Sequence, residues 1–237
     1  MNRLQAVFPG VAHVFLAVIH VESLAGALRN TRVAKENGAD GVFLINHSMS
    51  CSELIRCYQV VIEEFPDFWI GLNCLDLGSR AVGFIPRETA GLWVDNAGIT
   101  EGPNPTAGAE NFARLRRESK WQGLYFGGVA FKYQKPVVVD VAHVSRLAMP
   151  FVDVITTSGE GTGKAADVEK IRLMKEAIGG GGDDNHPPLA IASGISPENV
   201  ADYMPYADCF LVATRISDSH TELNPQRVRA LAKALGK

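Results

Sequence analysis

Short runs of consecutive apolar residues alternate with longer stretches in which apolar and polar positions repeat at helical spacing, and this alternation occurs eight times along the chain. Runs that are apolar at successive positions are typical of parallel strands that are buried on both faces. The pattern predicts strands over residues 14–19, 41–45, 69–74, 91–94, 123–129, 152–156, 189–192 and 209–213.

The intervening stretches predict helices because apolar residues recur there every three or four positions. Two helix starts carry a distinct signal, since Ser196 precedes Pro197 and Asn224 precedes Pro225. In both pairs a polar N-cap is followed by proline at the first helical position. The predicted helices cover residues 22–37, 51–65, 76–85, 107–120, 140–149, 165–178, 197–203 and 225–235.

Eight strand–helix units of roughly 30 residues each account for the whole chain. They predict an α/β fold, a single (β/α)8 TIM barrel that forms one domain over residues 1–237. The alternative is an open doubly wound sheet, which usually has fewer strands and a ligand crevice at a switch point. A low-complexity segment, residues 179–185, is expected at the bottom of the barrel, between the sixth helix and the seventh strand.

Composition narrows the classes of function. The 237 residues include 23 Lys and Arg against 26 Asp and Glu, so the formal net charge of −3 lacks the basic field with which proteins bind nucleic acids. No apolar run reaches the roughly 18 residues of a membrane-spanning helix. The apolar stretch 11–21 resembles a signal peptide, but His13 and His20 interrupt it, and we interpret it as a buried first strand.

The cysteines indicate a reducing environment. They show neither a C-x-x-C motif nor a Cys/His spacing typical of zinc sites. In a chain of this length, scattered cysteines are more often reduced core residues than a disulfide framework. We therefore expect a cytoplasmic protein in which all four thiols are free. The four residues are Cys51, Cys57, Cys74 and Cys209.

Polar residues follow most of the predicted strands, at the barrel face where such folds hold their active sites. Three of them are candidate catalytic residues: His20, Asp95 and Lys132. Histidine titrates near neutral pH and suits general acid or base catalysis. A carboxylate at a barrel centre is unfavourable unless it is paired or hydrated. The lysine is suited to pair with the carboxylate, hold a phosphate or form an imine. The structural alternatives are a hydrogen-bonded strand cap for His20 and a solvated surface lysine for Lys132.

Other polar residues near strand ends have simpler explanations. Asn73 is a candidate binding residue, although turn formation or helix capping explains it equally well, as it does Asp76. Asn46 and His47 are expected to shape the second loop. The histidines outside predicted strand ends are expected to be structural, and no metal ligands or cofactors are predicted, with a divalent metal left open. Those histidines are His13, His143, His186 and His220.

Three glycine-containing segments in the last third of the chain predict a phosphate site. Residues 158–164 and 192–195 each precede a helix, and residues 212–215 end the eighth strand. Glycines let backbone N–H groups approach an anion, and helix N-termini add partial positive charge. Residues 159–164 are not a Walker A loop, because Ser158 and Ala165 replace the required glycine and hydroxyl. The candidate phosphate-binding residues are Gly161, Gly163, Lys164, Ser193, Gly194, Thr214 and Arg215.

Several segments together resemble the BtpA/SgcQ family over almost the whole chain. They are the sequences AVIH at 17–20, NGADGV at 37–42, IGLNCL at 70–75, SGEGTG at 158–163 and SGISPENV at 193–200. The resemblance implies a (β/α)8 barrel of the phosphate-binding type, and members have been linked to photosystem assembly and to sugar-utilisation gene sets. The chain departs from the family pattern after His20, where a proline-rich stretch is replaced by residues 21–25. A lysine that is often found beyond the threonine of the eighth strand is absent, and Arg215 and Ile216 stand nearby instead.

These observations favour an enzyme that acts on a small phosphorylated compound, such as a sugar phosphate or a phosphoribosyl compound. Phosphoribosyl transfer, isomerisation and carbon–carbon cleavage stay open, because polar groups on a barrel rim serve all three. The alternatives are a non-catalytic assembly or biogenesis factor of the BtpA type and, less favoured, a nucleotide hydrolase. Self-association through the outer helices is left open.

Overall fold

The computed structural model describes residues 1–179 and 186–237, and within them eight parallel strands close into a barrel. The strands are β1 (Val14–Val21), β2 (Gly41–Asn46), β3 (Trp69–Asn73), β4 (Gly91–Val94), β5 (Leu124–Gly128), β6 (Val154–Thr157), β7 (Leu189–Ile191) and β8 (Cys209–Val212). Each strand pairs with its neighbours in chain order, and β1 pairs with β8 with Val14 opposite Cys209. The predicted (β/α)8 barrel is therefore confirmed. Residues 180–185 of the low-complexity segment lie outside the described residues.

Helices surround the barrel as the periodicity predicts. They are α1 (Arg3–Val7), α2 (Leu24–Glu36), α3 (Cys51–Glu64), α4 (Ala107–Ser119), α5 (Val141–Ala148), α6 (Val168–Gly179), α7 (Val200–Tyr203) and α8 (Pro225–Ala234). Polar caps fix several starts: Ser50 and Glu53 form a capping box at α3, and Asn224 caps α8 ahead of Pro225 as predicted. Within the described ranges, no helix is both long enough and apolar enough to cross a bilayer.

Four elements differ from the sequence prediction. The predicted helix over residues 76–85 is a short 3-10 helix, Gly78–Gly83, because Asp76 bonds to Asn46 and to the backbone of Cys51. The predicted N-cap Ser196 lies outside α7, since the Asn199 side chain forms a turn by bonding to the Ser196 N–H. Neither α1 nor a two-stranded hairpin after β8 was predicted. The hairpin consists of β9 (Ser217–Ser219) and β10 (Glu222–Leu223).

The expectation of four free thiols is wrong for two cysteines. Cys51 opens α3 and Cys74 directly follows β3, so the two residues lie side by side with their Cα atoms 5.2 Å apart and form a disulfide. Cys57 and Cys209 are free. Disulfides are rare in the cytosol, so the cysteines no longer support the predicted location.

The barrel interior is filled by large side chains that pack over glycines. The rings of Trp69, Phe43 and Phe126 contact one another, with centroids 5.1–6.0 Å apart. A Cβ atom on Gly71 or Gly91 would lie 2.4 Å from an aromatic carbon of this group. Glycine at these strand positions therefore makes the space that the rings occupy. Leu4 and Phe8 pack against these interior residues, and the cavity described next lies at the strand C-termini.

Candidate active site

The C-terminal ends of the strands surround a cavity of about 350 Å³. Because all eight strands are parallel, the residues that follow them lie on this one face. Asn73 lies apart, on a second cavity of about 420 Å³. Gly161 and Lys164 contact Ser193 through their carbonyl oxygens. The predicted site residues that line the first cavity are His20, Asp95, Lys132, Gly163, Ser193, Gly194, Thr214 and Arg215.

Three histidines form a cluster in this cavity, which we call the histidine cluster. His20 lies in β1, His47 follows β2, and His220 lies between β9 and β10. The Nδ1 of His20 is 2.7 Å from the Nε2 of His47, and the rings of His20 and His220 stack with centroids 4.1 Å apart. The structural role expected for His220 is corrected by this placement. The sequence analysis missed it because the hairpin that carries His220 was not predicted.

Burial and neighbouring charges keep His20 neutral. Burial lowers the pKa of His20 from 6.5 to about 3, and His220, His47 and Lys132 act in the same direction. Burial also lowers the pKa of His47, where the Asp95 charge partly opposes it. At neutral pH the imidazole of His20 is therefore uncharged. A pKa this far below neutrality disfavours both roles predicted for His20, general acid and general base.

Asp95 lies between the two cavities and lines both of them. Burial raises the pKa of its carboxyl group, while the hydrogen bond from Asn73 and the positive charge of Lys132 lower it. The Nδ2 of Asn73 donates to Oδ1 of Asp95 over 3.0 Å. Asn73, predicted to bind the substrate, is thus placed to orient the carboxyl group of Asp95.

The loops after β6 and β7 are joined through Ser193. Its buried hydroxyl lies 2.9 Å from the carbonyl oxygen of Gly161 and 2.8 Å from that of Lys164, and donates to them. Gly194 has a φ of +66°, and a Cβ atom there would lie 2.2 Å from the backbone nitrogen of Ala165. Only glycine fits such a close approach without displacing the backbone. The hydroxyl of Ser193 therefore holds the loop that follows β6 against the one that follows β7.

Lys170 is a buried lysine that the sequence analysis missed. It lies in the first turn of α6, and its ammonium group donates to the carbonyl oxygens of Ala130 and Ser158 over 2.6 and 2.7 Å. Burial lowers its pKa from 10.5 to about 8. The lysine thus ties together the segments that follow β5 and β6. A positive charge in the first turn of a helix opposes the helix dipole. This unfavourable placement was the signal in the sequence by which Lys170 could have been found.

Trp93 adds an unused donor beside the cavity. The residue is 4% exposed, and its indole N–H has no hydrogen-bond partner among the described residues. Buried donors are nearly always paired, so this unpaired N–H is an unusual feature of a residue that lines the cavity.

Relatives of known sequence carry no assigned function. No family profile matches the chain. An uncharacterized protein of Thermococcus kodakarensis is 27% identical over 148 residues, which are 61% of this chain and about half (52%) of that protein. Uncharacterized proteins of Methanocaldococcus jannaschii and Pyrococcus abyssi are 20% and 23% identical, over 89% and 90% of this chain and 85% and 87% of their own lengths.

Solved structures with the same fold include enzymes. The (S)-3-O-geranylgeranylglyceryl phosphate synthase of Thermoplasma acidophilum, in complex with sn-glycerol-1-phosphate, has a TM-score of 0.68 and 12% identity, covering 99% of this chain and 98% of that one. Phosphoribosylanthranilate isomerase of Thermotoga maritima has a TM-score of 0.64 and 13% identity, covering 94% and 98%. At such identities the likeness shows the fold alone. The finer resemblance to the BtpA/SgcQ family stays a prediction.

Proposed function

We propose that this protein is an enzyme that binds a small phosphorylated compound in the cavity and reacts with it there. The proposal rests on one observation: glycine-containing loops and ionisable side chains line the same cavity. Gly163, Gly194 and Thr214, from three successive loops, line the same cavity as Asp95 and Lys132. The loops after β6, β7 and β8, which we call loops six to eight, form one arc of the barrel mouth. Asp95 follows β4, which lies opposite β8 in the closed strand order.

The arc formed by loops six to eight suits a phosphate group. Glycines let backbone N–H groups approach an anion, and a Cβ atom placed on Gly163 would lie 3.7 Å from the Thr214 side chain, so the loops adjoin. Arg215 lines the cavity and supplies a positive charge for a charge-assisted hydrogen bond. A volume of about 350 Å³ is that of a small-molecule site. Two structural neighbours are named for phosphorylated compounds, which supports the same assignment.

Asp95, which lies across the barrel mouth from this arc, supplies a group for proton transfer. With its raised pKa, its carboxyl group acts as a proton donor or acceptor. Lys132 provides a positive charge or an amine nucleophile near this carboxyl group. A sugar phosphate or a phosphoribosyl compound fits this division of the cavity. Transfer, isomerisation and carbon–carbon cleavage all use such groups.

A thermal-shift panel tests the proposal. Chelator-treated protein is screened against phosphate, sugar phosphates, phosphoribosyl pyrophosphate and nucleotides. A true ligand present at 100 times its Kd stabilises the fold by about 2.7 kcal/mol, which in a protein of this size raises Tm by about 5–10 °C.

A charge variant makes the panel specific to the site. Thr214→Glu places a negative charge in the cavity, and it should abolish the shift because the carboxylate repels the phosphate. Gln59→Glu adds the same charge on the outer face of α3 and should leave the shift unchanged. A panel without any shift would contradict the proposal and favour the non-catalytic assembly factor. A shift of Tm that persists in Thr214→Glu would show that the ligand binds at another site.

A further inference from the structure

The histidine cluster has a composition that phosphate binding does not require. One ring nitrogen from each of His20, His47 and His220 lies within 4.8 Å of the ligand atoms of the other two. We propose that this cluster is a binding site for a divalent transition-metal ion of the zinc type. The inference goes beyond the function proposed above and does not depend on it.

The spacing of the three nitrogens is close to that of a metal site. Zinc–nitrogen bonds of about 2.0–2.1 Å at a tetrahedral centre place ligand nitrogens roughly 3.3 Å apart. In the protein, Nδ1 of His20 and Nε2 of His47 are 2.7 Å apart, and the whole set spans no more than 4.8 Å. His47 and His220 are exposed, so small rotations of their rings are enough to reach the required spacing.

The His20–His47 contact already brings one ring nitrogen of each residue to the same place. In the free protein, one of the two facing nitrogens carries the hydrogen and the other accepts it. When a metal binds, the donating imidazole changes tautomer, and its hydrogen moves to the other ring nitrogen. Both facing nitrogens then coordinate, and the step needs no net release of a proton.

The chemical nature of the ligands selects the metal. Imidazole is largely neutral above its ordinary pKa of about 6.5, so lone pairs are available at neutral pH. Imidazole nitrogen suits Zn²⁺, Cu²⁺ and Ni²⁺, whereas Mg²⁺ and Ca²⁺ require oxygen ligands. The cluster contains no carboxylate, and we therefore infer a transition metal rather than an alkaline-earth ion.

The hairpin that carries His220 is anchored on both sides of that residue. Asn30, which is 2% exposed in α2, donates from Nδ2 to the carbonyl oxygen of Thr221 over 2.7 Å and accepts from the N–H of Leu223 over 3.1 Å. Asn224 donates to the carboxylate of Asp218 over 2.9 Å. The backbone around His220 is thus held in place before a metal arrives, as a preorganised site requires.

Three protein ligands leave one tetrahedral position open, which is the arrangement of catalytic zinc sites. All three histidines line the cavity of about 350 Å³, so the open position faces the space in which a ligand binds. A metal held by these three histidines would supply a Lewis acid on the cavity side of the cluster. The sequence analysis had no means to find this site, because His220 is separated from His47 by most of the chain.

Calorimetry on tag-free, chelator-treated protein in phosphate-free buffer tests the inference. We expect one Zn²⁺ to bind per chain and Mg²⁺ not to bind at the same concentration. Loss of a residue that hydrogen-bonds to a metal ligand weakens metal binding roughly 10- to 100-fold. His220→Ala removes a ligand itself and should therefore weaken Zn²⁺ binding by at least that factor. His143→Ala, at an exposed position in α5, is the matched control and should leave the affinity unchanged.

The result separates this inference from the proposed function. Absence of Zn²⁺ binding, or equal affinity in the wild type and His220→Ala, overturns the metal site. Circular dichroism checks that His220→Ala is folded, and the exposed position of the residue makes a folding defect unexpected. The phosphorylated ligands are screened without metal and the metal is titrated without phosphate, so failure of one proposal leaves the other to be judged by its own experiment.

Discussion

Asp95 shows how burial and charge oppose each other at a single residue of the cavity. Burial raises the pKa of the carboxyl group, and this effect outweighs the hydrogen bond from Asn73 and the nearby charge of Lys132. A carboxyl group with a raised pKa retains its proton closer to neutral pH, which suits proton transfer. The same shift destabilises the folded protein, because ionisation then opposes folding.

Asp95→Asn is expected to raise the free energy of unfolding at neutral pH. The pKa of Asp95 is higher in the folded protein than in the unfolded chain, so the unfavourable contribution is complete above the folded pKa. It vanishes below the ordinary value of 3.8, where the carboxyl group is protonated in both states. Urea unfolding of both proteins from neutral pH downwards should therefore show a gain that shrinks as pH falls.

Asp67→Asn, at an exposed position, is the control for the simple loss of one negative charge. It should show no comparable gain in the free energy of unfolding. Equal stability of Asp95→Asn and the wild type at neutral pH, or a gain that grows as pH falls, would contradict the prediction.

The placement of candidate residues at the cavity was predictable where they lie near the C-terminal end of a strand. His20 lies near the end of β1, Asp95 directly follows β4, and Lys132 comes shortly after β5, and parallel strands bring such positions to one face. His220 and Lys170 were missed because their positions depend on tertiary contacts. The hairpin that carries His220 is held by the buried amide of Asn30, and Lys170 reaches the carbonyl oxygens of Ala130 and Ser158 from a helix. Neither contact has a periodic signal in the sequence.

Among the elements, α6 is tied through Lys170 to the segments that follow β5 and β6. Lys170 donates to carbonyl oxygens in the segments after β5 and β6. Ala130 has a φ of +48°, an unfavourable conformation for a residue with a Cβ atom. The hydrogen bond from Lys170 helps to hold that conformation, and with it the backbone that leads to Lys132.

Lys170→Met should destabilise the protein by about 2 kcal/mol, because it leaves two inward-facing carbonyl oxygens without their charged donor. Lys233→Met, at an exposed position of α8, is the matched control and should change stability by less than about 0.5 kcal/mol. Urea unfolding measures both values. A loss in Lys170→Met no larger than in the control would contradict the role given to this lysine.

The pH dependence of the same pair provides a second check. The pKa of Lys170 is about 8 in the folded protein and 10.5 ordinarily, so between these values the unfolded chain binds the proton and the folded protein does not. The contribution of Lys170 to stability therefore rises with pH across this window. The rise should be absent from Lys170→Met.

Element types were predictable wherever packing followed periodicity, and wrong where a local side-chain bond replaced it. The apolar runs located all eight barrel strands. The stretch 76–85 forms a 3-10 helix because Asp76 is engaged by Asn46 and by the N–H of Cys51. The Asp76 side chain is engaged by that neighbouring loop, and the 3-10 helix begins after Leu77 without a side-chain cap.

For the whole molecule, α1 is the element that closes the barrel at the end opposite the cavity. Leu4 and Phe8 belong to the apolar cluster inside the barrel, and the rings of Phe8 and Trp69, the first residue of β3, lie 5.7 Å apart. Arg3 forms an ion pair with Asp153 over 2.8 Å, next to β6. The helix has only five residues, too few for a periodic signal, which explains why the sequence did not predict it.

Leu4→Ala should lower the free energy of unfolding by about 3 kcal/mol, because a side chain that is 2% exposed is removed from a packed interior. Val7→Ala, on the same helix at 43% exposure, should cost less than about 0.5 kcal/mol. Urea unfolding compares the two variants. If both lose the same amount, α1 does not contribute to the core as the structure indicates.

The pairing of β1 with β8 has a consequence for synthesis on the ribosome. The cavity is lined by residues from Val18 to His220, so its first wall emerges from the ribosome long before its last one. A nascent chain therefore has no closed pocket until β8 and the hairpin that carries His220 have been synthesised. A ligand that needs the whole cavity binds chains that extend past His220 and does not bind chains truncated before it.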